Sequence, residues 1–174
     1  HTPNLEQTII DAFSTTPLAH VIVFASPGAH FADLIASLHA GFMCPVVGCT
    51  SAGEIADAGF VEETVVVIGL PKRMFAARSV LIENLSTTDF GELNDMLIQN
   101  RLALTTSNPR KTNGFSFLMV DGLSRREDQL VAAISPGIFG FPLFGGSAGD
   151  GLRFKRTAVA FEGKVYEDAA TLTF

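Results

Sequence analysis

Pro45-Val-Val-Gly-Cys-Thr-Ser-Ala-Gly-Glu54 reads as a buried apolar strand running into a turn of small residues and then an acid. The pattern returns as Pro142-Leu-Phe-Gly-Gly-Ser-Ala-Gly-Asp150. Pro45 answers Pro142 at a spacing of 97 residues and Glu54 answers Asp150 at 96, so one residue is missing from the second copy. The flanks match as well. Upstream of the first copy, Ala19-His-Val-Ile-Val-Phe-Ala25 is β-branched and apolar, as a strand covered on both faces is. It ends at Ser26-Pro-Gly28, after which Phe31, Leu34, Ile35 and Leu38 keep the spacing of one helix face, with Gly41 placed as a left-handed C-cap. Upstream of the second copy, Phe115 to Val120 reads as a strand and Asp121-Gly122 as a turn. Ser124-x-x-Glu127 then reads as a capping box opening a helix with Leu130, Val131 and Ile134 inward, which stops before Pro136-Gly137.

Two strands are expected after each acid, at Thr64 to Leu70 and Met74 to Ile82 in the first half, and at Thr157 to Phe161 and Val165 to Phe174 in the second. A helix over Asp89 to Leu104 joins the halves. Strand–helix–strand steps demand right-handed crossovers and parallel pairing. The expected fold is therefore α/β: a mixed sheet built from two strand-helix-strand-strand-strand repeats, about 18–85 and 113–174, with pseudo-twofold symmetry from an internal duplication. All 174 residues form one domain. The abrupt start at His1 and the strand-like Thr171-Leu-Thr-Phe174 read as the limits of a segment of something longer.

Hydrophobic residues make up 47% and charged ones 17%, which excludes a disordered chain. Twelve Lys and Arg against 18 Asp and Glu give a net charge of −6, with the cations scattered, so neither nucleic acid nor an anionic membrane surface is an expected partner. No apolar run reaches the roughly 20 residues of a membrane span. Two cysteines, Cys44 and Cys49, make neither a disulfide framework nor a zinc site. The expectation is a soluble cytoplasmic domain.

The small-residue turns are the candidate site. Ser, Ala and Gly leave backbone amides open to an anion, and a carboxylate is the natural guest. The acids after them supply the opposite pole, and an amino acid carries both charges. The expected ligand-binding residues are Thr50, Ser51, Gly53 and Glu54 from the first turn, Gly146, Ser147, Gly149 and Asp150 from the second, and Asp121 at a strand's carboxyl end, where α/β folds place ligand contacts. Ser26 is the first-half counterpart of Asp121. The plainer alternative is that the small residues allow close packing and the acids cap turns. Cys49 beside open amides is a conceivable nucleophile but needs a base, and His20, His30 and His39 are not brought to it by sequence. No catalytic residue and no metal site are assigned. The histidines are also candidate axial ligands should haem bind, although a satisfied or solvent-facing helix-end histidine is the plainer reading of His30 and His39.

Pro45 to Ile55, Asp121-Gly-Leu-Ser-Arg-Arg-Glu127 and Pro142 to Leu152 together resemble the FIST N-terminal domain, from about Leu18 to the end of the chain. The resemblance implies a sensory module of bacterial signal-transduction proteins, without chemistry of its own, that binds a small molecule such as an amino acid or other carboxylate. It implies as partners a FIST C-terminal domain and a signalling output module, and leaves self-association open. A haem-based nitric oxide sensor is the alternative the family offers. A hydrolase or transferase using Cys49 or Ser147 is the alternative the residues offer.

Overall fold

Sequence patterning builds fifteen helices and strands in the computed structural model, which describes residues 4–56, 59–151 and 153–174. In chain order they are α1 (Leu5–Ala12), β1 (Leu18–Ala25), α2 (Phe31–Gly41), β2 (Val46–Thr50), β3 (Glu54–Ala56), β4 (Gly59–Val61), β5 (Val65–Pro71), β6 (Ser79–Ile82), α3 (Leu93–Ser107), β7 (Ser116–Asp121), α4 (Glu127–Ile134), β8 (Leu143–Ala148), β9 (Val159–Phe161), β10 (Lys164–Tyr166) and β11 (Ala170–Thr173). One sheet runs β10-β9-β2-β1-β5 and a second β6-β11-β7-β8, with β3 and β4 as a separate hairpin. The class is mixed α/β, with the expected parallel pairs β1/β2 and β7/β8 flanked by antiparallel neighbours. The single mixed sheet expected is instead two.

Alternation along β1 shows why. Val21, Val23 and Ala25 pack with Phe31, Leu34, Ile35 and Leu38 of α2, while Ile22 and Phe24 join Met119 and Phe117 of β7. The far face of the second sheet, through Leu118, Val120, Ala170 and Leu172, packs on Leu97 of α3 and Leu130 and Ile134 of α4. The layers are thus helix, sheet, sheet, helix. A strand with apolar neighbours on both faces needs an unbroken apolar run, which is what Val21 to Ala25 supplies.

The glycine of each repeated motif has a steric reason. Gly48 is in register with Val23, and a Cβ there would sit 2.5 Å from the Val23 carbonyl oxygen. Gly145, in register with Leu118, has φ 139°, and a Cβ there would run into the Leu118 carbonyl. Gly41 is not a left-handed cap: it is the last residue of α2, and its missing side chain admits Ile10 of α1, a helix the sequence reading did not anticipate.

Several other expectations are corrected. Met74 to Arg78 is not strand, because Met74 and Phe75 both donate to the Pro71 carbonyl and reverse the chain. Val165 to Phe174 is two strands, broken where Asp168 turns left-handed at φ 49° and carries the chain between sheets. The capping box does not form: Arg125 is left-handed at φ 54°, Ser124 accepts only from Arg126 N at 3.4 Å, and α4 starts at Glu127. The joining helix starts as a 3₁₀ turn at Phe90–Glu92, capped by Asp89, and runs to Ser107. The small-residue run after Pro142 is extended as far as Ala148, so the turn itself begins only at Gly149.

The largest correction concerns which strands correspond. The hairpin β3–β4 was not expected, yet β3, β4 and β5 begin at 54, 59 and 65 and β9, β10 and β11 at 159, 164 and 170, an offset of 105 throughout. Glu63 and Asp168, also 105 apart, are both left-handed. The counterparts are placed differently. β9 pairs antiparallel with β2 through Val47/Phe161, Gly48/Ala160 and Cys49/Val159, so the second half lends its hairpin to the first sheet. β6 of the first half pairs with β11 of the second sheet. Among the described residues, β3–β4 lies on neither sheet, and the outer edge of β8 is bare.

Two outcomes are expected. Backbone amides of β2, paired on both sides, exchange with solvent more slowly than those of β8, as native-state hydrogen exchange will measure. Buried His20 has its Nε2 3.3 Å from Ser79 Oγ and no partner at Nδ1, and burial pushes its pKa down from 6.5 to about 4. A depressed pKa means that the unfolded chain binds the proton more readily, so stability is lost as pH falls from 6.5 toward 4, by about 3 kcal/mol over that window. His20→Gln flattens this part of the stability–pH curve, read by urea unfolding at pH 7, 5.5 and 4.5.

Candidate functional site

The carboxyl ends of β1, β2, β7 and β8 meet at one end of the sandwich. Ser51 N donates to Ala25 O at 3.0 Å and Gly149 N donates to Thr50 O at 2.9 Å, so the two turns lie side by side. A Cβ on Gly149 would come within 3.1 Å of Ala52 N, so the contact is close enough that any side chain there would crowd the first turn. Thr50 Oγ1 accepts from Ala158 N at 3.1 Å and thereby anchors the chain entering β9. Ser26 and Asp121 hold similar places after β1 and at the end of β7: Ser26 N donates to Thr64 O and Asp121 N to Ala169 O.

The three acids have different employments. Asp150 accepts from the backbone N–H groups of Phe154, Lys155 and Arg156 at 2.7 to 2.9 Å. Those bonds, that from Arg156 foremost, hold its pKa below the ordinary carboxylate value. Asp121 accepts from Leu123 N at 3.0 Å, Asp168 N at 2.5 Å and the Thr157 hydroxyl, and so pins three loops of the second half. Both carboxylates are committed to turns, which is the plainer of the sequence alternatives. Leu152, at the end of the second motif, lies outside the described residues.

Glu54 differs. It is 4% exposed, and its oxygens accept from Ser26 Oγ at 3.2 to 3.3 Å and Thr64 Oγ1 at 2.5 Å. Both donors are neutral hydroxyls, and no cation pairs with this carboxylate among the described ion pairs. A carboxylate offers about four lone-pair sites, so two hydroxyls leave acceptor capacity. Glu54 borders a groove of about 280 Å³ shared with Phe24, Ser51, Gly53, Val66 and Ile68. Ser51 spends its hydroxyl locally, donating to Gly53 O at 2.8 Å and accepting from Gly53 N at 3.0 Å.

The nine expected residues therefore do not form one site. Ser51, Gly53 and Glu54 line the groove, with Thr50 and Gly149 directly behind it. Gly146 and Ser147 lie elsewhere, on the bare β8 edge beside a hollow with Val131 and Phe144, and Ser147 Oγ donates to Glu127 at 2.9 Å. Phe24, Val66, Ile68 and Thr64 were missed. Their signal was weak, because a strand residue facing a groove and one facing a core look alike in sequence.

Cys49 is 5% exposed, and burial, with the charge of Glu54 adding to it, pushes its thiol up to about 12. That is the opposite of an activated nucleophile. His30 and His39 stand on the exposed surface at opposite ends of α2, while His20 is buried in β1. Among the described residues, no three His, Cys, Asp or Glu side chains gather as a metal site would need, and no helix is long and apolar enough to cross a membrane.

No curated protein matches the chain. The family model of the FIST N domain matches residues 19–174, from the second residue of β1 through β11, and so takes in both small-residue turns and the Glu54 groove. The chain belongs to the FIST N domain family, the sensory domains of signal-transduction proteins.

Proposed function

We propose that this domain senses a small amino-acid-like molecule in the groove beside the first small-residue turn. The observation that carries the reading is Glu54: a buried carboxylate, supported only by hydroxyls, at the wall of a groove whose other walls are largely apolar. A ligand ammonium supplies the missing countercharge. The apolar part of the ligand rests on Phe24, Val66 and Ile68, and its carboxylate stays at the solvent-facing rim of the groove, because the expected open amides of Ser51, Gly53 and Gly149 already donate within the protein. Asp150 and Asp121 keep their structural bonds and shape the turn from behind. Signalling needs two arrangements that bind the ligand with different affinity. The β3–β4 hairpin leads straight out of Glu54 and lies on neither sheet, so it is the element nearest the ligand that has room to move.

Two outcomes test this. A ligand at about a hundred times its Kd adds about 2.7 kcal/mol, several degrees in Tm for a domain of this size. A screen of amino acids, their amides and their deaminated acids is expected to give shifts for compounds that keep the ammonium. Glu54→Gln, which keeps the shape, removes those shifts. Shifts by deaminated acids alone, or shifts untouched by Glu54→Gln, would sink the reading. The second outcome concerns the thiol. Iodoacetamide at pH 7.5, followed by mass spectrometry, is expected to label half-buried Cys44 well before Cys49. Glu54→Gln lowers the Cys49 pKa only in part, because burial is the larger cause. Rapid stoichiometric labelling of Cys49 would revive the nucleophile.

A further inference from the structure

At the end of the sandwich away from the small-residue turns, the two sheets part around a cavity of about 370 Å³. Ile22 and Leu70 wall it from the first sheet, Phe117 and Phe174 from the second, and Phe75 and Leu104 close it from the loop after β5 and from α3. Its size falls within the range of small-molecule sites, whose usual form is an apolar chamber with a few polar groups at one end. Apart from the buried Thr173, the polar groups here are reached by solvent and mark the mouth. Thr105, Asn108, Lys111 and Asn113 line that side, and Lys111 Nζ donates to Arg73 O at 3.3 Å, which brings two cation-bearing loops together.

The charge around the mouth runs against that of the chain. Residues 64–82 contain Lys72, Arg73 and Arg78 and no acid, and residues 96–120 contain Arg101, Arg110 and Lys111 and no acid. These two segments supply all but four of the lining residues, the others being Ile22, Phe141, Thr173 and Phe174. Of these six cations Lys111 lines the cavity itself, with Arg73 joined to it through its carbonyl, and no Asp or Glu side chain is in the lining, so in a chain of net charge −6 the mouth favours an anion. The shape selects for an apolar body.

We infer that this cavity is a second ligand site, separate from the Glu54 groove, for a small anionic amphiphile: an alkyl or aromatic body held between the sheets and a carboxylate at Lys111. The walls exclude water from the body, and the headgroup stays at the rim, where Lys111 and the Lys72-Arg73 loop remain partly hydrated. The head therefore contributes selectivity, and the body contributes most of the affinity.

Calorimetric titration of the full chain with decanoate, against decyltrimethylammonium of the same chain length, tests the assignment. Saturable one-to-one binding of decanoate, at least tenfold tighter than the cation, is expected. Lys111→Glu is expected to abolish that preference while the variant stays folded, with at most a small fall in Tm from the lost bond to Arg73 O. Ala77→Leu, which fills the chamber, is expected to weaken both compounds. Glu54→Gln is expected to leave decanoate binding as it is, which separates this site from the groove. Equal binding of the two compounds, no binding, or decanoate binding indifferent to both Lys111→Glu and Ala77→Leu would overturn the inference.

Discussion

Each sheet contains one parallel strand pair that closes only because one residue has no side chain. Gly48 against Val23 and Gly145 against Leu118 occupy the same place in the two pairs, and at either a Cβ would meet a neighbouring backbone carbonyl. Backbone cannot yield as a flexible side chain can. The spacing of β1 and β2, and of β7 and β8, sets where the helices land and where the carboxyl ends of four strands converge. The contacts between Ser51 and Ala25 and between Gly149 and Thr50 then place the two turns beside each other. Everything proposed for the Glu54 groove depends on that convergence.

Much of this could be read from residues alone, and the limits were physical. Apolar runs such as Val21 to Ala25 and helical spacing such as Phe31, Leu34, Ile35 and Leu38 identified the strand–helix–strand units, because burial on both faces of β1 and one face of α2 leaves a local trace. Pairing partners leave none. Nothing local in Val159-Ala-Phe161 says that it will lie against β2 and not beside β8, so the division into two sheets was missed. The three-residue strands β3 and β4 were also too short to show a period.

The site was half readable for a related reason. Small residues and acids announced a turn, and the structure does bring the two turns together, but what an acid does depends on donors far away in sequence. Asp150 meets amides four to six residues on, whereas Glu54 meets hydroxyls of Ser26, 28 residues earlier, and Thr64, ten later. The same motif thus carries a capping acid in one half and a buried, uncompensated acid in the other. The cavity at the far end was invisible, since its walls come from well-separated stretches of chain and its cationic rim shows only when they are assembled.

The loan of β9–β10 to the first sheet also fixes an order of events in synthesis. β2 leaves the ribosome about 110 residues before Val159, its partner across from Cys49. At roughly 5 to 20 residues per second, that strand waits on the order of 5 to 20 seconds with an apolar edge open. The first half is therefore obliged to persist as an incomplete sheet, and its exposure to aggregation is set by the speed of translation as much as by the stability of the finished fold.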